Sequence, residues 1–430
     1  MNKFLYLNNF RGFQKTFISF KQVNFFVGEN SSGKSSILAL LKLMSTSQFW
    51  NTGEFNMEDI ELGFFNELVS NTIIGKKSFQ IAFHYEGQED FERLFRTILV
   101  NFENDRGTPQ ITNIRLQLKN YNINIKIGPK QRRVQIKETP YICDSLETFT
   151  TWINDTKFDG IKFSVHPINE ETYSSSQYVQ IRDILKSKLP KDIRLSGYMF
   201  PKFLPLSTWI APIRTKPKRI YESFKLIYSS EGDHTPLLIK SILSNQHKKH
   251  ISREDFLVAL EKFGKRSGLF DKIAIESLGA DISSPFIVNI FLNGFPIKLT
   301  NVGYGVGQVL PLLAEILVAP SGKLFSIQQP EVHLHPRAQA ALGDFIFEAS
   351  KLRGQSFLIE THSDFIIDRF RYGIKSNKSK LESQVLFFER SKKGNSVFPI
   401  VIDEKGQYSE EQPKSFRDFF INEELNLLSI

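Results

Sequence analysis

The chain of 430 residues contains a single cysteine, Cys143. That excludes an intramolecular disulfide framework and fits a reducing compartment. No apolar run approaches the roughly 20 residues that a membrane span requires. The opening "MNKFLYLNNFRGF" has only a short apolar stretch broken by polar residues, so it does not read as a secretory signal. Internal repeats and low-complexity linkers are also missing. The expectation is a cytoplasmic protein without membrane contact. An acidic excess is absent too: 55 Lys and Arg face 46 Asp and Glu, giving a net charge of +9 and a pI near 9.3. Such a balance is compatible with a nucleic-acid partner. The basic residues are nevertheless scattered, with small clusters at 129–133, 214–219 and 247–250, and a solvated basic surface is the plainer reading.

Hydrophobic residues make up 41% of the chain and 40 residues are Phe, enough for an aromatic-rich core. The length suits one large split domain or two ordinary ones. Short apolar runs at 2–8, 15–20 and 22–27 read as strands. Alternation at Phe79/Ile81/Phe83, Ile114/Leu116/Leu118, Ile123/Ile125/Ile127 and Val134/Ile136 reads as an antiparallel meander with one wet face. Between about 141 and 269 the pattern turns helical, at 144–155, 176–188 and 252–264. Strands near 286–292, 323–327, 356–360, 384–389 and 397–402 then alternate with helices at about 307–318, 337–352 and 364–374. A closing helix is expected over 413–430. The reading is an α/β chain with three parts: 1–140, a mostly helical insertion at 141–269, and 270–430. The first and last parts would form one core.

Gly28-Glu-Asn-Ser-Ser-Gly33-Lys34-Ser35 matches G-x-x-x-x-G-K-[ST] without a gap, after the strand-like "VNFFV" and before an amphipathic helix. Loop glycines let backbone N–H groups turn inward, and the helix N-terminus adds positive potential toward phosphates. Gly28, Asn30, Ser31, Ser32, Gly33, Lys34, Ser35 and Ser36 are therefore the expected nucleotide-binding residues. Lys34 would reach the β- and γ-phosphates, and the Ser35 hydroxyl would ligate Mg²⁺.

"LNNFRGFQKTFISFKQVNFFVGENSSGKSSIL" resembles the opening of RecF- and SMC-like ABC-type ATPases, in which an "NFR" element precedes the Walker A loop. The resemblance implies a P-loop NTPase fold, an ABC-type ATPase head, with Arg11 near the nucleotide base or α-phosphate. "LTNVGYGVGQVLPLL" (299–313) is similar to the signature segment, usually G-[FY]-G-x-S-Q-x-L-P. Gly307 stands where the signature Ser would be, beside Gly305 and Gln308; backbone N–H groups would still bind a phosphate held by the other subunit. "IETHSDF" (359–365) resembles the switch segment, which implies that His362 contacts the γ-phosphate and the attacking water. The "PEVHLHP" element places the chain nearest to the OLD-like and Septu-type phage-defence ATPases, and the segment 210–238 is similar to their "GPLR…P.R…GE…LL" stretch.

That group usually ends its Walker B strand with acid-Gln-Pro-Glu or acid-Glu-Pro-Glu. Here Gln328 takes the metal-acid position and Gln329 the catalytic-base position. Glutamine can orient water or contact Mg²⁺ through its carbonyl, but it cannot take a proton at neutral pH. Loss of the base typically lowers the rate about 10²–10⁴-fold. Glu360, with His362, is the expected substitute for positioning or deprotonating water. The bland reading is that Glu331 and Glu360 satisfy neighbouring backbone or Arg groups. His333 and His335, on an extended segment beside Pro336, match the D-loop region and read as a dimer-facing loop, not as a metal pair.

The resemblance implies ATP and Mg²⁺ as cofactors, and a head-to-tail homodimer or higher homo-oligomer with composite ATP sites. Only 68 residues follow His362, too few for a Toprim nuclease, so a separately encoded nuclease-type effector is the expected partner. The leading expectation is a sensor or regulator ATPase in anti-phage defence, with weak hydrolysis because of the two glutamines. A RecF-like DNA-repair ATPase and an ATP-dependent scaffold that hardly hydrolyses are the other two readings.

Overall fold

The computed structural model describes residues 3–57, 59–70, 78–85, 95–118, 120–139, 143–168, 177–191, 207–222, 226–244, 250–281 and 283–418. Residues 247–249 of one basic cluster, and the closing helix beyond residue 418, lie outside the described residues. In chain order the first strands are β1 (Lys3–Asn8), β2 (Thr16–Ser19), β3 (Val23–Gly28), β4 (Asn56–Met57), β5 (Ile60–Glu61) and β6 (Ser78–Tyr85). They continue as β7 (Phe95–Asp105), β8 (Thr108–Leu118), β9 (Tyr121–Ile127), β10 (Gln131–Glu138), β11 (Ser164–Pro167) and β12 (Thr208–Ile210). The last are β13 (Lys272–Ser277), β14 (Phe286–Leu292), β15 (Phe295–Lys298), β16 (Leu324–Gln328), β17 (Ser356–Glu360), β18 (Ser383–Ser391) and β19 (Gly394–Ile402).

The chain divides into two compact units. One comprises Met1–Lys21, Glu29–Leu206 and Phe388–Pro399; the other Gln22–Gly28, Ser207–Phe387 and Ile400–Ile430. In the first, alternating apolar residues build an eight-stranded sheet in the order β11-β10-β9-β8-β7-β6-β1-β2. Register places Phe79 opposite Phe102, Ile81 opposite Val100 and Phe83 opposite Ile98, so period-2 apolar residues meet across strands on one face. Phe10, Phe55, Phe79 and Phe102 pack there with ring centroids 4.9–6.2 Å apart, Phe79 stacked on Phe102 and the others tilted or edge-on, which accounts for part of the Phe content. Burying one such ring is worth roughly 1.5–3 kcal/mol.

The face expected to be wet is covered where it matters. Helix Leu146–Asp155 lays Phe149, Trp152 and Ile153 against Phe4, Tyr6, Ala82 and Leu99. Trp152 Nε1 finds its acceptor in Asn122 Oδ1 at 2.8 Å, so the indole can be buried without an unpaired N–H. Alternation shows which residues share a face; it cannot show that a distant helix will close the other one.

The second unit contains the buried runs. In the six-stranded sheet β12-β16-β17-β3-β18-β19, the pairs β12/β16, β16/β17 and β17/β3 are parallel. Strands covered on both faces have no wet side to mark with polar residues, hence "LFSI" and "VNFFV". Helices Thr235–Leu243, Arg253–Ser267, Tyr304–Val318, Pro336–Arg353 and Asp364–Asn377 belong to this unit. A three-stranded antiparallel sheet, β13-β14-β15, completes it. Its second hairpin turns at Asn293-Gly294, both with positive φ, the pair that a tight two-residue turn favours. The segment 141–269 carries four of the described helices, and the division between the two units falls within it, at 206/207.

Candidate functional site

Three parallel strands finish side by side. Register sets Gln328 of β16 opposite Glu360 of β17, and Glu360 opposite Phe26 of β3, two residues before Gly28. The C-terminal edge of parallel strands is where open α/β sheets place their ligands.

The loop leaving β3 is built from backbone permissiveness. Gly28, Ser31 and Gly33 adopt φ of 138°, 60° and 95°. A Cβ on Gly33 would lie 2.5 Å from Phe13 Cζ and 3.1 Å from Asn395 Nδ2, so both its conformation and its neighbours require glycine. Helix Lys34–Met44 follows with no side-chain cap and no acid in its first turn, so no carboxylate there opposes the positive end of the helix dipole. Lys34 is buried and its Nζ donates to the Glu29 carbonyl at 2.6 Å, folding the cation over the loop's own backbone. Ser32 Oγ donates to the same carbonyl at 2.7 Å. Asn30, Ser31 and Ser35 are exposed. Arg11 donates from Nη1 to Ser36 Oγ at 2.9 Å and from Nη2 to the Leu62 carbonyl at 2.7 Å. The guanidinium thus sits beside the first turn of the loop's helix, and burial lowers its pKa. Phe13 and Asn395, which shape the loop from below, carry no motif that would have marked them.

At the end of β16 the two glutamines part company. Gln328 Nε2 donates to Glu360 Oε2 at 3.2 Å, so the amide turns toward the carboxylate of the adjoining strand. Gln329 has φ of +40° and its backbone N–H donates to the Glu360 carbonyl at 2.8 Å. Glu331 reaches across to the switch segment. Its Oε1 accepts from the His362 N–H at 2.7 Å and its Oε2 from Thr361 Oγ1 at 2.8 Å. His362 is exposed while Glu360 and Thr361 are buried. His335 caps helix Pro336–Arg353 through Nδ1, which accepts from the Ala338 N–H at 3.3 Å.

Gly305, Gly307 and Gln308 lie in helix Tyr304–Val318 and are buried. A Cβ on Gly307 would come within 2.9 Å of Pro217. Gln308 Nε2 donates to the Arg214 carbonyl at 3.3 Å. The exposed start of the helix is therefore Gly303 and Tyr304. Pro311 within the helix has no N–H for the carbonyl four residues back, which is that of Gly307.

Arg214 lies at the head of the basic run 214–219, which reads as solvated. Lys216, Lys218 and Arg219 are exposed as that reading expects, but Arg214 is 3% exposed and donates from Nη2 to the Gln328 carbonyl at 3.4 Å. Burial pulls its guanidinium down to about 10. Among the described residues no group of three or more His, Cys, Asp or Glu could hold a metal ion by itself. No described helix is long and apolar enough to cross a membrane.

No curated protein matches the chain. Among solved structures it is similar to the SMC head domain from Thermotoga maritima, with 14% identity and a TM-score of 0.40, covering 93% of this chain and 98% of that one. It is also similar to the Smc head domain with an extended coiled coil bound to the C-terminal domain of ScpA, derived from Pyrococcus furiosus. The identity there is 12%, the TM-score 0.40, and 99% of each chain is covered. The recombination mediator protein RecF gives 13% identity and a TM-score of 0.33, covering 93% of this chain and 98% of that one. Residues 1–367 match the model of the AAA ATPase domain family. With most of its length matched, the chain belongs to the AAA ATPase domain family.

Proposed function

We propose that the protein binds ATP through Gly28, Asn30–Ser36 and Arg11, and that a second copy closes on the nucleotide head-to-tail. The observation that carries this reading is the loop: an uncapped helix N-terminus after a glycine that cannot be replaced, with Lys34 held in place. Lys34 would leave the Glu29 carbonyl for the β- and γ-phosphates, a charge-assisted exchange of acceptors. The second copy would contribute residues around Gly305, Gly307 and Gln308. Because Gly307 packs against Pro217, such closure calls for the 215–217 segment to shift, with Gly303 and Tyr304 leading the contact. Residues 1–140 and 270–430 are then the two halves of the head, and 141–269 an insertion.

Ser35 and Gln328 would hold magnesium, which supplies charge neutralisation at the phosphates when bound. The fit is partial. Gln328 is neutral and its Nε2 is engaged with Glu360, so only its Oε1 is available as a ligand. Gln329 would orient water. Glu360 would position or deprotonate it, and His362 would contact the γ-phosphate. Hydrolysis should therefore be slow.

Within this reading the protein is a sensor or regulator ATPase of anti-phage defence that controls a separate nuclease-type effector; the "PEVHLHP" resemblance supports it. The net charge of +9 favours a second reading, a RecF-like ATPase that binds DNA with ATP. A scaffold that assembles with ATP and releases little phosphate is consistent with the neutral Gln328. Light scattering with and without ATP and magnesium tests the core claim. The mass should double for the unmodified chain and not for Lys34→Ala. Absence of ATP binding by the unmodified chain would sink it. Salt-sensitive DNA binding in the ATP-bound state would favour the second reading over the first.

A further inference from the structure

At the exit of β16 a buried cation and a nearby carboxylate are not paired with each other. Among the described residues Arg214 Nε and Nη1 have no hydrogen-bond partner, and Nη2 has only the long contact to the Gln328 carbonyl at 3.4 Å. A buried charge left so poorly matched is strongly unfavourable, and a fold that retains one implies that an acceptor can reach it. The acid whose charge acts on Arg214 is Glu331. That carboxylate is spent elsewhere, on Thr361 Oγ1 and the His362 N–H. The same arginine is tied through its carbonyl to Gln308 of helix Tyr304–Val318. One residue therefore touches the strand end, the helix and, through charge, the acid that holds the switch segment.

We propose that Glu331 and Arg214 are positioning residues for His362, the Glu331 carboxylate having two seats. In the arrangement seen here it holds the Thr361–His362 turn. In the other it pairs with Arg214 Nε and Nη1 and releases the His362 N–H toward a phosphate oxygen. Each seat offers the carboxylate two donors, so the exchange conserves hydrogen bonds. A phosphate that accepts from the freed His362 N–H supplies the differential interaction that a population shift needs. Because Gln308 holds the Arg214 backbone, movement of the signature helix would also shift the balance between seats. The inference rests on the ATP-binding reading.

The test is hydrogen exchange of the peptide spanning 359–365, with and without a non-hydrolysable ATP analogue and magnesium. It is run on the unmodified chain, Arg214→Met, Arg214→Lys and Glu331→Gln, alongside analogue titration and steady-state kinetics. In the unmodified chain the analogue should change the exchange rate of the His362 amide, whose acceptor passes from the Glu331 carboxylate to the phosphate. In Arg214→Met it should not, and kcat should fall about 10–100-fold with KM within about two-fold. Arg214→Lys, keeping charge but not the fork, should recover part of both effects. Glu331→Gln loses the charge and one of the two acceptor oxygens, and should behave like Arg214→Met in its response to the analogue. Removing an unpaired buried cation should leave the Tm of Arg214→Met equal or higher. A lower Tm with unchanged kcat would make Arg214 a structural residue and overturn the proposal. So would analogue binding by the unmodified chain without any change in exchange at 361–362, which leaves the ATP reading intact. Failure of the unmodified chain to bind the analogue overturns both.

Discussion

The loop after β3 and the turn after β16 both leave buried parallel strands at the same sheet edge, and both adopt positive φ. In the loop those angles fall on Gly28 and Gly33, with Ser31 between; in the turn they fall on Gln329 and His333. A glycine holds such a bend with little strain, whereas a residue with a Cβ needs its surroundings to impose it. The turn has those surroundings: the Gln329 N–H on the Glu360 carbonyl, the Leu334 N–H on the Glu331 carbonyl at 2.9 Å, and the Glu331 carboxylate on 361–362. The loop should therefore respond to changes in itself, and the turn to changes in its neighbours.

The largest expected effect sharpens that contrast at the loop. Lys34→Ala should weaken ATP binding about 10–100-fold, the worth of one charge-assisted contact, in a fluorescent-analogue titration. Equal affinity would mean that the loop's backbone alone holds phosphate. Next, Gly33→Ala should cost about 1–3 kcal/mol in urea unfolding, because it adds strain at φ +95° and a clash with Phe13. A neutral result would break the claim that the bend needs glycine.

At the turn, Gln328→Glu replaces the 3.2 Å amide contact with two facing carboxylates. Stability should drop about 1–2 kcal/mol in EDTA and return on adding magnesium, because like charges at that distance need a cation between them. A rise in turnover with magnesium would show that Gln328 holds the chain in a slow form. No dependence on magnesium would remove Gln328 from the metal site. The smallest effect is a control on buried cations. Lys3 is 9% exposed and burial lowers its pKa to about 8. Lys3→Met should gain about 1 kcal/mol without touching nucleotide binding. If it instead weakens ATP affinity, the same interpretation of Arg214→Met loses its footing.

Much of the fold is legible in the sequence. Alternation marks the strands of the meander, and short continuous apolar runs that end at polar residues mark β16 and β17. The pairing of Gln328 with Glu360 follows from two such strands lying next to each other. The closed second face of the meander did not follow, because its cover, helix Leu146–Asp155, is separated from β1 by well over a hundred residues. The burial of Arg214 did not follow either: the basic residues after it are exposed, and its neighbours in space are Gln328 and Gln308.

By itself the sequence determined what depends on local chain chemistry. The P-loop, its following helix, the buried parallel strands and the glutamines at positions 328 and 329 are all of that kind. Periodicity and backbone freedom act over a few residues, so they are written in consecutive letters. Only the tertiary structure decided which groups those letters meet: Phe13 and Asn395 under Gly33, Glu331 on the His362 amide, and Arg214 buried with donors to spare. Hydrogen bonds and desolvation depend on distances between residues far apart in the chain, and only the folded arrangement sets those distances.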